Sequence, residues 1–164
     1  TIRNYYAMSK LAGEFVARTV NSTILRTNFV GRSLMEGRAS LTDWLYGALS
    51  CGELVNVFDD VLFSPLAIGS VCNCIVDCIA KRPVGVFNLG SHDGASKADF
   101  AFAFAHAIGL PTTNLNRVSS GSVGNFVARR PLDMRMRCDK FESTMGSRLP
   151  HLGDEITKLA LDYP

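Results

Sequence analysis

Tyr6 and Lys10 stand four residues apart in Asn4-Tyr5-Tyr6-Ala7-Met8-Ser9-Lys10-Leu11-Ala12-Gly13-Glu14. On a helix, residues at that spacing share a face, so the phenol and the ammonium can reach one small volume. A phenol with a pKa near 10 is a poor acid at neutral pH, but a neighbouring cation favours phenolate and makes proton exchange with a carbonyl or hydroxyl feasible. An ordinary amphipathic helix can carry Tyr and Lys at the same spacing, so the pair gains meaning only from what surrounds it.

A short turn later comes Thr23-Ile24-Leu25-Arg26-Thr27-Asn28-Phe29-Val30-Gly31, which reads as a strand over 23–30 running into a loop. Together the two segments resemble the extended short-chain dehydrogenase/reductases, and among them the dTDP-4-dehydrorhamnose reductase branch. In that branch the helix reads Tyr-x-x-x-Lys-Leu-x-Gly-Glu and the next strand reads Leu-Arg-Thr-Ser-Trp-Val. The resemblance implies an NAD(P)H-dependent reduction of a 4-keto sugar nucleotide, with Tyr6 as proton donor and Lys10 holding the nicotinamide ribose. It places Thr27, Asn28, Phe29 and Val30 at the nicotinamide and the sugar. Phe29 stands where the family has Trp, which keeps an aromatic wall and drops an N–H donor.

Further along, Asp59 and Pro65 match the family's Asp-Gln-x-Gly-x-Pro-Thr loop, whereas Asp60, Phe63 and Leu66 replace its Gln, Gly and Thr. Arg129-Arg130-Pro131-Leu132-Asp133 resembles the element that reads a nucleotide diphosphate and ribose. Arg130 would grip phosphate oxygens and Asp133 would accept from ribose hydroxyls; a solvated Arg-Arg turn is the alternative. Two other readings share the Tyr and Lys. One is a sugar-nucleotide epimerase or dehydratase. The other is a non-catalytic regulatory subunit resembling that of methionine adenosyltransferase.

The resemblance also implies an absence. Family members open with a Gly-rich dinucleotide fingerprint and a Rossmann half, and no Gly-x-x-Gly-x-x-Gly occurs between Thr1 and Pro164. The expectation is therefore a C-terminal half that needs its N-terminal half or a partner chain, with homo-oligomerisation as another outlet. Most of the NAD(P)H site would lie in the missing half.

At 164 residues with 47% hydrophobic content, the chain is long enough for a buried core. Lys+Arg 17 against Asp+Glu 15 gives a net charge of +2 and no basic tract, so composition supports neither nucleic-acid nor membrane-surface binding. No spanning segment or leader pattern is visible, and a cytoplasmic setting is expected. Cys51, Cys72, Cys74, Cys78 and Cys138 are odd in number, which fits free, buried thiols better than a disulfide framework. Cys-x-Cys-x3-Cys is no zinc spacing, and His92, His106 and His151 are scattered along the chain, so no metal site is expected.

The elements that must position the pair alternate between helix and strand. Periodicity predicts a helix from about Asn4 to Arg18 with Ala7, Leu11, Phe15 and Val16 on its apolar face. It predicts a second from Leu41 closed by Gly52, a third from Phe63-Ser64-Pro65 to Lys81, and a fourth from Ser96, capped with Asp99, to Gly109. Strands are expected at 54–58 and 86–90, loop with one short strand from Pro111 to Arg130, and short helices after Asp139 and Asp154. This pattern fits an α/β class: the C-terminal part of a doubly wound Rossmann-type fold over 1–60, and a substrate-binding region over 61–164 interleaved with the last sheet strand.

Overall fold

The computed structural model describes residues 4–122 and 131–164. Helix α1 (Tyr5–Ala17) is followed by strands β1 (Thr23–Thr27) and β2 (Phe29–Val30), helix α2 (Leu41–Ser50) and strand β3 (Val55–Phe58). Next come β4 (Leu62–Phe63), β5 (Leu66–Ala67), α3 (Ile68–Lys81), β6 (Gly85–Leu89), β7 (Ala95–Ser96) and α4 (Lys97–Ala107). The chain ends with β8 (Leu115–Val118), β9 (Asp133–Met134), α5 (Asp139–Met145) and α6 (Leu152–Ala160).

The pairing is mainly parallel, as expected when helices cover the returns between strands. β1 lies parallel to β6 from Thr23↔Gly85 to Thr27↔Leu89, β2 parallel to β5, and β3 parallel to β8. The ladder β7-β4-β9 is mixed: β4 runs antiparallel to β7 and parallel to β9, with Leu62 opposite Asp133.

Two apolar cores hold these ladders. One collects Val30, Leu45, Phe63, Phe100, Phe104, Ile156 and Tyr163 between β3 and helices α2, α4 and α6. Its rings pack edge to face, with Phe63 and Phe100 centroids 5.3 Å apart and Phe104 and Tyr163 also 5.3 Å apart. The other collects Leu66, Val71, Phe87, Leu89, Phe141 and Leu149 between β6 and helices α3 and α5.

Several elements depart from the sequence reading. The 23–30 strand is broken at Asn28, because its first part pairs with β6 and its last two residues with β5. The third helix begins at Ile68, five residues beyond Phe63: residues 62–63 and 66–67 give their backbone groups to ladders, which leaves none for a helical turn around Pro65. The last helix starts at Leu152, before Asp154, since the Asp93 carboxylate receives the Leu152 N–H at 2.7 Å and so satisfies the helix start. Cys51 and Cys72 are exposed, not buried, because α2 and α3 turn those positions to solvent. His92 and His151 are far apart in the chain yet stack at 5.2 Å, drawn together by the His92 N–H donating to the Pro150 carbonyl.

Phe15 and Val16 do not join Ala7 and Leu11 on one buried face. The half-buried stripe of α1 is Asn4, Ala7, Leu11, Glu14 and Ala17, while Tyr5, Met8, Phe15 and Val16 project into solvent on the other side. On α3, Val71 and Cys78 are buried, but Ile75, Val76 and Ile79 stand exposed.

Candidate functional site

α1 starts where Asn4 receives the Ala7 N–H on its side-chain oxygen at 2.9 Å, an N-cap that replaces a missing helical partner. Two turns of helix then carry Tyr6 and Lys10 along one border of the half-buried stripe. The Lys10 Nζ lies 5.5 Å from the centre of the Tyr6 ring, so the structure does bring the two together. Tyr6 is 71% exposed, and among the described residues its hydroxyl has no hydrogen-bond partner and Lys10 no carboxylate partner.

The strand end lies at the carboxyl ends of parallel strands, where open α/β folds place their ligands. Thr27 Oγ1 donates to the Asn28 carbonyl at 3.2 Å. That carbonyl also receives the Leu66 N–H at 3.1 Å, and Asn28 Oδ1 receives the Ser64 N–H at 3.4 Å. Asn28 therefore brackets Pro65, which is fully buried, and joins two of the sequence-predicted site residues. Val30 turns into the core at 4% exposure, and Phe29, one residue earlier, faces out at 59%. An exposed aromatic ring beside a fixed amide can serve as a wall for a flat ring or a sugar. Gly31 follows at φ +155°, where a Cβ would come within 2.8 Å of Ile68 Cγ2, so a side chain there would displace Ile68 at the start of α3.

Asp133 lies on β9 opposite Leu62 of β4. Its carboxylate takes the Arg135 guanidinium in a fork, at 3.0 Å from Nε and 2.8 Å from Nη2. The Arg135 side chain, with help from its amide, brings the Asp133 pKa down to about 2. Arg130 lies outside the described residues.

Sequence reasoning did not single out two further contacts. Asp60 receives the Ser119 hydroxyl at 2.7 Å and the Ser120 amide and hydroxyl at 2.9 and 3.0 Å, which ties the segment after β8 to the end of β3. These bonds, led by that from Ser119, hold its carboxyl below the usual range. Glu14 takes the Arg26 guanidinium in a second fork, which links α1 to β1. Both Glu14 and Arg26 stand in the motifs Gly-Glu and Leu-Arg-Thr, so the signal was present, but nothing in linear spacing says that the two residues meet.

No group of three or more His, Cys, Asp or Glu suited to a metal occurs among the described residues. No helix among them is long and apolar enough to cross a membrane.

The frame is mainly parallel α/β, of Rossmann type, and carries the exposed Tyr6–Lys10 pair on its first helix. Residues 3–163 match the RmlD substrate binding domain, and the chain belongs to that family. It is 30% identical over 170 residues to a dTDP-4-dehydrorhamnose reductase of Sinorhizobium fredii, covering 94% of this chain and 55% of the relative. It is 26% identical over 158 residues to the probable low-salt glycan biosynthesis reductase Agl14 of Haloferax volcanii, covering 94% and 52%. The chain thus spans about half the length of the curated relatives it matches. In three dimensions it resembles the dTDP-4-dehydrorhamnose reductase of Bacillus anthracis in complex with NADP, with a TM-score of 0.86 at 19% identity, covering 99% of this chain and 57% of that one.

Proposed function

We propose that the complete protein built around this chain reduces the 4-keto group of a sugar nucleotide with NAD(P)H. The observation that carries the reading is the exposed Tyr6–Lys10 pair, with the Lys10 ammonium 5.5 Å from the centre of the Tyr6 ring. A nicotinamide bound there would supply the hydride for the ketone carbon. Tyr6 gives its phenolic proton to the oxygen that becomes the alcohol, and Lys10 orients the ribose with a compact ammonium that has several donors. Phe29 walls the nicotinamide and sugar, Thr27 and the Val30 backbone line the strand end, and Asn28 with Pro65 fixes the sugar side. Arg130 and Asp133 are assigned to the nucleotide diphosphate and ribose. In this scheme residues 1–60 are the C-terminal part of the Rossmann-type domain and 61–164 the substrate-binding region.

The described residues fit the nicotinamide end of such a cofactor. Its pyrophosphate end calls for a Gly-rich turn at a helix N-terminus, and the sequence holds no Gly-x-x-Gly-x-x-Gly. The test is Tyr6→Phe in the complete protein, assayed by NADPH consumption with a dTDP-4-keto-6-deoxyhexose. Turnover should fall by roughly 10²–10⁴, the range for losing a positioned acid. Turnover near that of the unaltered enzyme would remove Tyr6 from the chemistry and the reductase reading with it.

A further inference from the structure

We infer that the ion pair between Glu14 and Arg26 sets the register of α1 along β1, and that both are positioning residues for the Tyr6–Lys10 edge. The inference rests on the reductase reading above and adds to it the device that holds the proton donor in place.

Three observations carry it. The first is geometry: Arg26 Nε lies 2.7 Å from Glu14 Oε1, and Arg26 Nη2 lies 2.6 Å from Oε2. Two parallel bonds between planar groups fix sliding and rotation together, which one bond cannot do. The second is that little else within this chain seats the helix. No residue of α1 is buried, and its half-buried stripe offers only Asn4, Ala7, Leu11 and Ala17 beside Glu14. Small apolar contacts are non-directional and tolerate slippage. The Ser22 hydroxyl bonded to the Ala17 carbonyl acts at the turn, not along the helix. Glu14 is the most committed group on the stripe: its side chain is 14% exposed, against 45% for Arg26, and Arg18 approaches it at 3.5 Å.

The third observation is spacing. Tyr6, Lys10 and Glu14 succeed one another at intervals of four, so the clamp closes the same helix edge that carries the pair. Ser22 meets Ala17 and Arg26 meets Glu14, so moving back along α1 from Glu14 follows moving forward along β1 from Arg26. Eight helical residues span about 12 Å. Three to four extended residues span about 10–13 Å. By this count the Tyr6 end of the helix lies roughly three to four residues beyond Arg26 in the strand direction when Glu14 is seated. A one-turn slip of the helix would move the phenol by about 5 Å, and even a displacement near 1 Å costs on the order of 10²-fold in rate.

The experiment uses the complete protein with Arg26→Lys, Arg26→Gln, the exchange Glu14→Arg with Arg26→Glu, and Tyr6→Phe as the reference. Arg26→Lys keeps the charge and loses the fork, so it also guards against a variant that fails to fold. Two readouts are taken: steady-state kinetics, and hydrogen exchange at the amides of residues 8–17. Arg26→Lys and Arg26→Gln should lower kcat by about 10- to 100-fold, with the KM for the sugar nucleotide changed less than threefold. Exchange should quicken in α1 but not in β6, and the double exchange should recover much of the lost kcat. If Tyr6→Phe slows turnover while Arg26→Gln stays within twofold of the unaltered enzyme and α1 exchange does not change, the inference is overturned and the reductase reading stands. If Tyr6→Phe has no effect on turnover, the reductase reading falls and the positioning role falls with it, whatever the exchange shows.

Discussion

The fully buried carboxylate of Glu155, on α6, receives the backbone N–H of Ala67 at 2.6 Å across 88 positions of sequence. Ala67 is the N-cap of α3 and has no side-chain acceptor to offer. In an ordinary capping box, a Glu three residues into the helix takes the N-cap amide. Here that third position is Ser70, and its hydroxyl bonds to Glu155 at 2.9 Å. Lys158 closes the arrangement at 2.7 Å. α6 therefore lends α3 the cap that its own sequence lacks. Glu155→Ala should destabilise the fold by about 2–4 kcal/mol, the cost of leaving a buried amide, a hydroxyl and a cation without their acceptor. Urea denaturation measures it; a loss under 1 kcal/mol would show that water replaces the carboxylate.

Asp43 gives an acid-sensitive contribution. Burial alone would raise its pKa, but amide bonds from Ser40 and Ser33 and hydroxyl bonds from Tyr163 and Ser40 outweigh burial and bring it to about 2, from an ordinary 3.8. A carboxyl whose folded pKa is depressed stabilises the fold above the unfolded value and loses that contribution as pH falls through the folded one. Asp43→Asn should therefore be less stable than the unaltered chain at neutral pH, and the gap should close between about pH 4 and pH 2. A gap that stays constant over that window would separate the contact from Asp43 ionisation.

Lys97 gives the same sign of pH dependence in a higher window, but there it is the charged form that the fold disfavours. Its ammonium sits 3.4 Å from the centre of the Phe63 ring, without a carboxylate partner among the described residues, and burial lowers its pKa to about 8. Between about 8 and 10.5 the unfolded chain binds more protons than the folded one, so stability rises with pH across that interval. Lys97→Met keeps the apolar stem over Phe63 and removes the titration. The unaltered chain should gain on this variant from pH 8 to 10.5 in denaturant midpoints. Parallel curves would mean that the ammonium keeps its hydration.

The 164-residue chain by itself should be catalytically silent and should bind NADPH no better than about 1 mM, near −4 kcal/mol. The contacts assigned to it reach only the nicotinamide side. Uncovered Met8, Phe15 and Val16 on α1, with Ile75, Val76 and Ile79 on α3, add apolar surface, and β1 has β6 on one side alone among the described residues. Self-association or capture of a complementary chain should follow. Fluorescence titration with NADPH checks the first expectation and light scattering the second; micromolar binding by a clean monomer would contradict both.

Local chemistry wrote much of this protein into its sequence. The Asn4 cap, the Ser96–Asp99 cap and the breaks at Gly52 and Gly109 depend on neighbours within four residues, so α1, α2 and α4 were legible at nearly their true ends. The Tyr6–Lys10 spacing was legible for the same reason, since helical geometry alone brings positions four apart together. What the linear order did not contain was any pairing over long separations. Val30 next to Ala67, Asp60 beneath Ser119 and Ser120, and Glu155 on Ala67 each join residues that no local period connects. Residues 62–67 show the contest most plainly. Their composition suggested the start of a helix, but ladders with β2, β7 and β9 claimed the same backbone groups. The tertiary structure decides such cases because each backbone N–H can satisfy one strong acceptor, and which acceptor arrives is settled by segments far away in the chain.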